Sequence, residues 1–170
     1  MDADKADFLR PLTDYLQVAN KESDRGKVLV AMSQIDRMLE EILLAFLAEG
    51  QSTKSLFQGP NAPMNSLFNK SNLSHSLGLI SAAELTTIGI MRKVRNSFAH
   101  SVSATFDDPP LTKLALTIDF GIEAITRVDQ EVAGNPRARF AMSSVSLITS
   151  LYNRAHYVSK EKIKKTDWTK

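Results

Sequence analysis

The stretch from Ser81 to His100, SAAELTTIGIMRKVRNSFAH, decides the fold. Ser81 with Glu84 three residues later predicts a capping box, in which the serine hydroxyl accepts from a free backbone N–H and the glutamate carboxylate accepts from the N–H of Ser81. Apolar side chains then recur at helical spacing, at Leu85, Ile88, Met91, Val94 and Phe98. We therefore predict one amphipathic helix of about twenty residues that starts at this box.

Three further helices are predicted upstream of this stretch, the first of them within residues 1–24. An apolar pattern runs through the segment from Asp24 to Glu49, at Val28, Met32, Ile35, Leu39, Ile42, Leu43 and Phe46. A shorter helix is predicted from about Asn65 to Leu77, and Gly78 suits the left-handed residue that ends it. Residues 51–65 contain QGPNAP, whose glycine and prolines forbid a continuous helix, so we expect a loop there.

Two helices are also predicted downstream, after the loop SVSATFDDPP. Apolar spacing from Leu111 to Val128 predicts the first, with Gly134 as its end. Asn135 followed by Pro136 is a favoured cap and first position for the second, which is predicted to run to about Val158. No segment alternates for long enough to form a strand. We therefore predict an all-α fold, a single-domain bundle of five to seven helices.

The composition limits the domain organisation and the compartment. With 170 residues, 43% of them hydrophobic and 24% charged, the chain is long enough for one core. Residues 1–24 are expected to form an N-terminal helix and turn, residues 25–159 the helical domain, and residues 160–170 a basic tail. The chain has no cysteine and its acidic start, MDADKADFLR, carries no apolar leader, so we expect a cytoplasmic protein. Its apolar stretches are too short to predict membrane insertion.

We expect neither a metal nor a cofactor. The three histidines, His75, His100 and His156, have no paired metal-ligand spacing, and nothing clusters the carboxylates. The glycines are dispersed singly, so the sequence predicts no phosphate-cradling loop for a nucleotide. The net charge of +2 is too small to predict nucleic-acid binding by itself.

Arg95 lies inside the apolar arc of the helix from Ala82 to His100 when side chains are placed about 100° apart. A guanidinium in that direction is costly to desolvate without an acceptor. Asp36 and Glu40 lie at the edge of the apolar face of the long upstream helix. We therefore predict a structural ion pair between Arg95 and these carboxylates.

A second interpretation of the same residues is catalytic. Arg95, Asn96 and His100 form an R-N-x-x-x-H pattern, which resembles the motif of HEPN-type ribonucleases. The resemblance implies that the arginine would hold the scissile phosphate and that the histidine would move protons, without a metal. Arg95 and His100 are about 140° apart on an ideal helix, so a dimer or a helix break would be required.

Several ordered blocks resemble the mannitol operon repressor family. They are QIDRMLEEILLAFL in the long helix, NAPM in the loop, the LGLIS turn, and IMRKVRNSFAHS. The resemblance covers roughly Arg25 to Ser101. It implies an all-α fold and a role in transcriptional control of sugar-alcohol uptake, with residues 25–159 as a helical regulator domain.

The sequence favours regulation through a protein partner over direct base readout. Residues 82–86, at the start of the helix after Ser81, offer no arginine, lysine, asparagine or glutamine to base edges. We expect a repressor or co-repressor without enzymatic activity, a homodimer that binds another transcription regulator or a sugar-transport regulatory protein. Arg92, Lys93 and His100 are the candidate partner contacts. Direct operator binding stays an open alternative, and a metal-independent ribonuclease is the runner-up.

Overall fold

The structure is a computed structural model that describes residues 13, 15–19, 21–121, 130 and 134–169. Within them it has seven helices with defined bounds and no strand, so the predicted all-α fold is confirmed. The helices are α1 (Asp24–Phe46), α2 (Gln51–Phe57), α3 (Leu67–Ser76), α4 (Ala82–His100), α5 (Pro109–Leu116), α6 (Pro136–Tyr152) and α7 (Arg154–Val158). A short 3-10 helix, Ser159–Glu161, follows α7.

Helix α1 lies at the centre of the bundle and packs against α3, α4, α6 and α7. The hydroxyl of Ser23 accepts from the N–H of Gly26 at 3.2 Å and begins the helix. Its predicted apolar face is buried, at Val28, Met32, Ile35, Leu39, Ile42 and Leu43. This face packs against the apolar faces of α4 and α6 in a single core.

Helix α4 begins as the sequence predicts. The hydroxyl of Ser81 accepts from the N–H of Glu84 at 3.2 Å, and the carboxylate of Glu84 accepts from the N–H of Ser81 at 2.7 Å. Gly78 has a φ of 72°, the left-handed value expected of the residue that follows α3. These features fix the turn between α3 and α4, and with it the direction in which α4 crosses α1.

Two predicted elements between α1 and α6 differ from the structure. Residues 51–57, predicted to be loop, form helix α2. The continuous helix predicted from Leu111 is wrong beyond α5, since residues 117–121 are not helical and Gly121 has a φ of 75°. Arg139 donates to the carbonyl of Ile118, which holds that backbone in a non-helical path. The rest of this prediction, residues 122–129, lies outside the described residues.

The chain beyond α6 breaks at Asn153 and returns to the end of α1. The N–H of Ile163 donates to the carbonyl of Phe46 at 2.8 Å, and Lys162 pairs with Glu49 at 2.6 Å. The start of the basic tail therefore lies against the bundle. Across the described ranges, every helix is too short or too polar to cross a bilayer.

Candidate functional site

A cleft of about 380 Å³ opens between α1, the start of α3 and the second half of α4. Its lining combines two cations with polar and apolar side chains. The residues that line it are Leu29, Met32, Ser33, Asp36, Asn65, Ser66, Leu67, Phe68, Arg92, Arg95 and Asn96. We call it the α4 cleft. It contains Arg95 and Asn96 of the predicted HEPN-like motif, and Arg92 of the predicted partner contacts.

The cations of the α4 cleft come from one face of α4. Arg92, Arg95 and Asn96 are spaced i, i+3 and i+4, so their side chains are neighbours on the helix surface. The guanidinium of Arg92 lies over the ring of Phe68, 5.2 Å from its centroid, and Phe68 is 54% exposed. Arg95 donates to the side-chain oxygen of Asn96 at 3.2 Å. Within the described part of the chain neither arginine pairs with a carboxylate.

The predicted pairing of Arg95 with Asp36 and Glu40 is wrong, because these two carboxylates pair with a different cation. That cation is Lys70 of α3, which donates to Asp36 at 2.8 Å and to Glu40 at 2.7 Å. Lys70 is only 4% exposed. Its burial lowers the pKa, but the hydrogen bonds and charges of the two carboxylates outweigh this, so the pKa of Lys70 is raised. We call Lys70, Asp36 and Glu40 the closed cluster.

Arg95 is exposed, and none of the described helices covers its side chain. Arg95 shares the cleft with Leu29 and Met32 of α1, the helix that also carries Asp36 and Glu40. However, α3 begins only at Leu67, and the chain before it leaves the space beside Arg95 open. A guanidinium facing water needs no carboxylate, which removes the reason for the predicted pair.

The predicted partner contacts lie along the outer side of α4. Arg92 is half-buried, while Lys93 and His100 are exposed. With about 100° per residue, all three fall within an arc of about 100°. His100 does not line the α4 cleft, so within one chain it does not share a site with Arg95, in keeping with the angle of about 140° between them on the helix.

The C-terminal end of α4 is held by Arg25 of α1, a contact that the sequence did not predict. Its guanidinium donates to the carbonyl of Phe98, to that of Ser101 at 2.5 Å and to that of Val102 at 2.8 Å. A cation at this position satisfies the free carbonyls of the helix end and favours the helix dipole. His100 is therefore not needed there and stays exposed.

The N-terminal end of α4 is held by a buried ion pair, which the sequence analysis also did not predict. Glu84, 2% exposed, accepts from Arg154 at 2.7 Å and from the hydroxyl of Ser150 at 2.7 Å. Burial raises the pKa of Glu84, but hydrogen bonds from Arg154, Ser81 and Ser150 outweigh it, so the pKa is lowered. Since α4 is fixed at both ends, its outer side is a rigid surface.

Among the residues that the structure describes, no three His, Asp or Glu side chains are close enough together to hold a metal ion. The polar and aromatic groups of the candidate site are two guanidinium groups, amides, hydroxyls, the ring of Phe68 and the carboxylate of Asp36, which is paired with Lys70. Such groups bind anions and hydrogen-bonding partners.

Comparisons with known proteins give one structural neighbour. No protein-family model matches the chain, and no curated protein sequence matches it. The fold is similar to a chain in the X-ray structure of the MtlR–HPr complex from Escherichia coli, with a TM-score of 0.61 and 16% sequence identity. The similarity covers 82% of this chain and 97% of that one. It shows an MtlR-like fold and lends no support to the HEPN-like motif.

Proposed function

We propose that this chain is a cytoplasmic transcriptional regulator of a sugar-alcohol uptake operon of the mannitol type. It acts as a repressor or co-repressor through a protein partner and has no enzymatic activity. One observation carries the proposal: the bundle matches an MtlR-like fold over 82% of the chain, in a complex whose other named component is HPr. The blocks of sequence that resemble the mannitol operon repressor family point to the same role.

The outer side of α4 is the partner surface in this proposal. Arg92, Lys93 and His100 lie along it, and within the described residues none of them pairs with a carboxylate. Unpaired cations on a rigid helix suit a partner with an acidic patch, because complementary charge speeds association and selects the partner. A sugar-transport regulatory protein such as HPr is the partner class that we propose, and the chain binds it as a homodimer.

The start of α4 supports a partner-mediated mechanism over direct base readout. Ala82 and Ala83 carry no side chain that could read a base edge. Glu84 is buried in its pair with Arg154, so it contributes no contact to a groove. Under this proposal the isolated chain shifts operator and random duplexes equally weakly in a gel.

The proposal is tested by deleting the gene in the source organism and measuring transcripts of its sugar-alcohol uptake operon. We expect the transcripts to rise in the deletion strain and to return to the original level with the wild-type chain. The triple variant Arg92→Ala/Lys93→Ala/His100→Ala should fail to restore repression, whereas Lys113→Ala, an exposed lysine on α5, should restore it.

Unchanged transcripts in the deletion strain would refute the regulator proposal. Purified protein should also leave RNA intact in the presence of a chelator. Metal-independent RNA cleavage that is lost in both Arg95→Ala and His100→Ala would replace the regulator with a ribonuclease.

A further inference from the structure

We propose that the α4 cleft binds a small polyol phosphate, a phosphate monoester on a chain of hydroxyls. This inference rests on the proposed function, since it names a ligand for a regulator of sugar-alcohol uptake. The cleft shares Arg92 with the outer side of α4, where the protein partner binds, whereas Arg95 and the other lining residues belong to the cleft alone.

The two arginines provide the site for the phosphate group. Arg92 and Arg95 are one turn apart, and both line the cleft with no carboxylate paired to them among the described residues. A guanidinium presents a planar fork of N–H donors that matches two phosphate oxygens. The guanidinium of Arg92 already lies over the ring of Phe68, which reduces the freedom that this side chain would lose on binding.

The closed cluster keeps the local charge positive. Asp36 also lines the cleft, and alone it would repel a phosphate. Lys70 pairs with Asp36 and Glu40 and stays protonated, because these partners raise its pKa. The cleft and the cluster together carry three cations, Arg92, Arg95 and Lys70, against the two carboxylates of α1.

The remaining walls suit hydroxyl groups. Ser33, Asn65, Ser66 and Asn96 place hydroxyl and amide groups around the cleft. The start of α3 also faces the cleft. The hydroxyl of Ser66 accepts from the N–H of Asn69 at 3.1 Å, while the N–H groups of Leu67 and Phe68 have no acceptor within the helix. A volume of about 380 Å³ is that of a small-molecule site, which favours a metabolite over the side of a folded partner.

Calorimetric titration of the full chain tests this proposal with three probes: sorbitol 6-phosphate, inorganic phosphate and sorbitol. We expect saturable binding of sorbitol 6-phosphate and weaker binding of the other two, since each lacks one half of the recognised group. Arg95→Ala should weaken the binding by about tenfold or more, the usual effect of losing a charged hydrogen bond. Arg95→Lys, which keeps the charge but not the fork, should give an intermediate loss, and Lys113→Ala should bind as the wild type does.

The proposal is overturned if sorbitol 6-phosphate gives no saturable heat with a folded wild-type chain, or if inorganic phosphate binds equally well. It is also overturned if Arg95→Ala and Lys113→Ala bind alike. HPr binding is measured separately, without the sugar phosphate. If the wild-type chain binds HPr but not sorbitol 6-phosphate, only this inference is rejected. If the wild-type chain does not bind HPr, the proposed function is rejected.

Discussion

Two neighbouring groups of charged side chains, the closed cluster and the α4 cleft, use their cations in opposite ways. In the closed cluster Lys70 is buried between α1 and α3 and holds two carboxylates within 2.8 Å. In the α4 cleft Arg92 and Arg95 are reached by water and hold no carboxylate in the described ranges. The first arrangement joins helices, and the second leaves charge free for a ligand. The candidate site therefore lies at Arg92 and Arg95, the cations that do not join helices.

The largest expected effect is on the closed cluster. Lys70→Ala should lower the free energy of unfolding by about 3 kcal/mol, because it leaves two adjacent carboxylates without their cation. Chemical denaturation measures this loss, with Lys113→Ala as the control that should stay within about 0.5 kcal/mol of the wild type. A loss for Lys70→Ala no larger than that of the control would mean that the cluster does not join α1 and α3.

A smaller effect is expected where α1 holds the end of α4. Arg25→Ala removes the donor to the carbonyls of Phe98, Ser101 and Val102, and it should cost about 1–2 kcal/mol. Hydrogen exchange should rise in the last turn of α4 more than in its first turn. Uniform exchange along the helix would show that Arg25 does not fix this end.

The other end of α4 should respond to pH. The folded-state pKa of Glu84 is lowered, so its contribution to stability is present above the unfolded pKa of about 4.3 and is lost as the pH falls through the folded-state value. Thermal melts of the wild type should therefore show a loss of stability over this acidic range. The melts of Glu84→Gln should depend less on pH there, and identical pH profiles for the two proteins would contradict the account.

The smallest expected effect concerns the α4 cleft. Arg95→Ala should change the free energy of unfolding by less than about 0.5 kcal/mol, because Arg95 is exposed and, among the described residues, it donates to the neighbouring Asn96 alone. Denaturation in parallel with Lys70→Ala makes the comparison direct. If Arg95→Ala were as damaging as Lys70→Ala, the cleft would be part of the structural framework.

Local signals made α1 and the start of α4 predictable. The apolar spacing of the long helix, the capping box of Ser81 and Glu84, and the left-handed Gly78 each depend on a few adjacent residues. The end of α5 was not predictable in the same way. The apolar spacing continues past Leu116, but a distant residue, Arg139, takes the carbonyl of Ile118.

The charged contacts were harder to predict because they depend on which helices meet. Asp36 and Glu40 were correctly chosen as ion-pair acceptors, but the helical wheel gave their cation as Arg95. The spacing of Leu67, Lys70 and Ser74 places them on one side of α3. In the structure Lys70 and Ser74 are buried on that side. Choosing between the two cations required knowing that α3 packs on α1 at Asp36 and leaves Arg95 uncovered.

A calorimetric titration of purified HPr into the full chain is the sharpest test of the outer side of α4 as the partner surface. We expect saturable binding to the wild type and to Lys113→Ala. Binding to Arg92→Ala/Lys93→Ala/His100→Ala should be at least about tenfold weaker, with an unchanged melting temperature. No binding to the folded wild-type chain, or equal binding to the triple variant, would contradict the assignment of α4 as the partner surface.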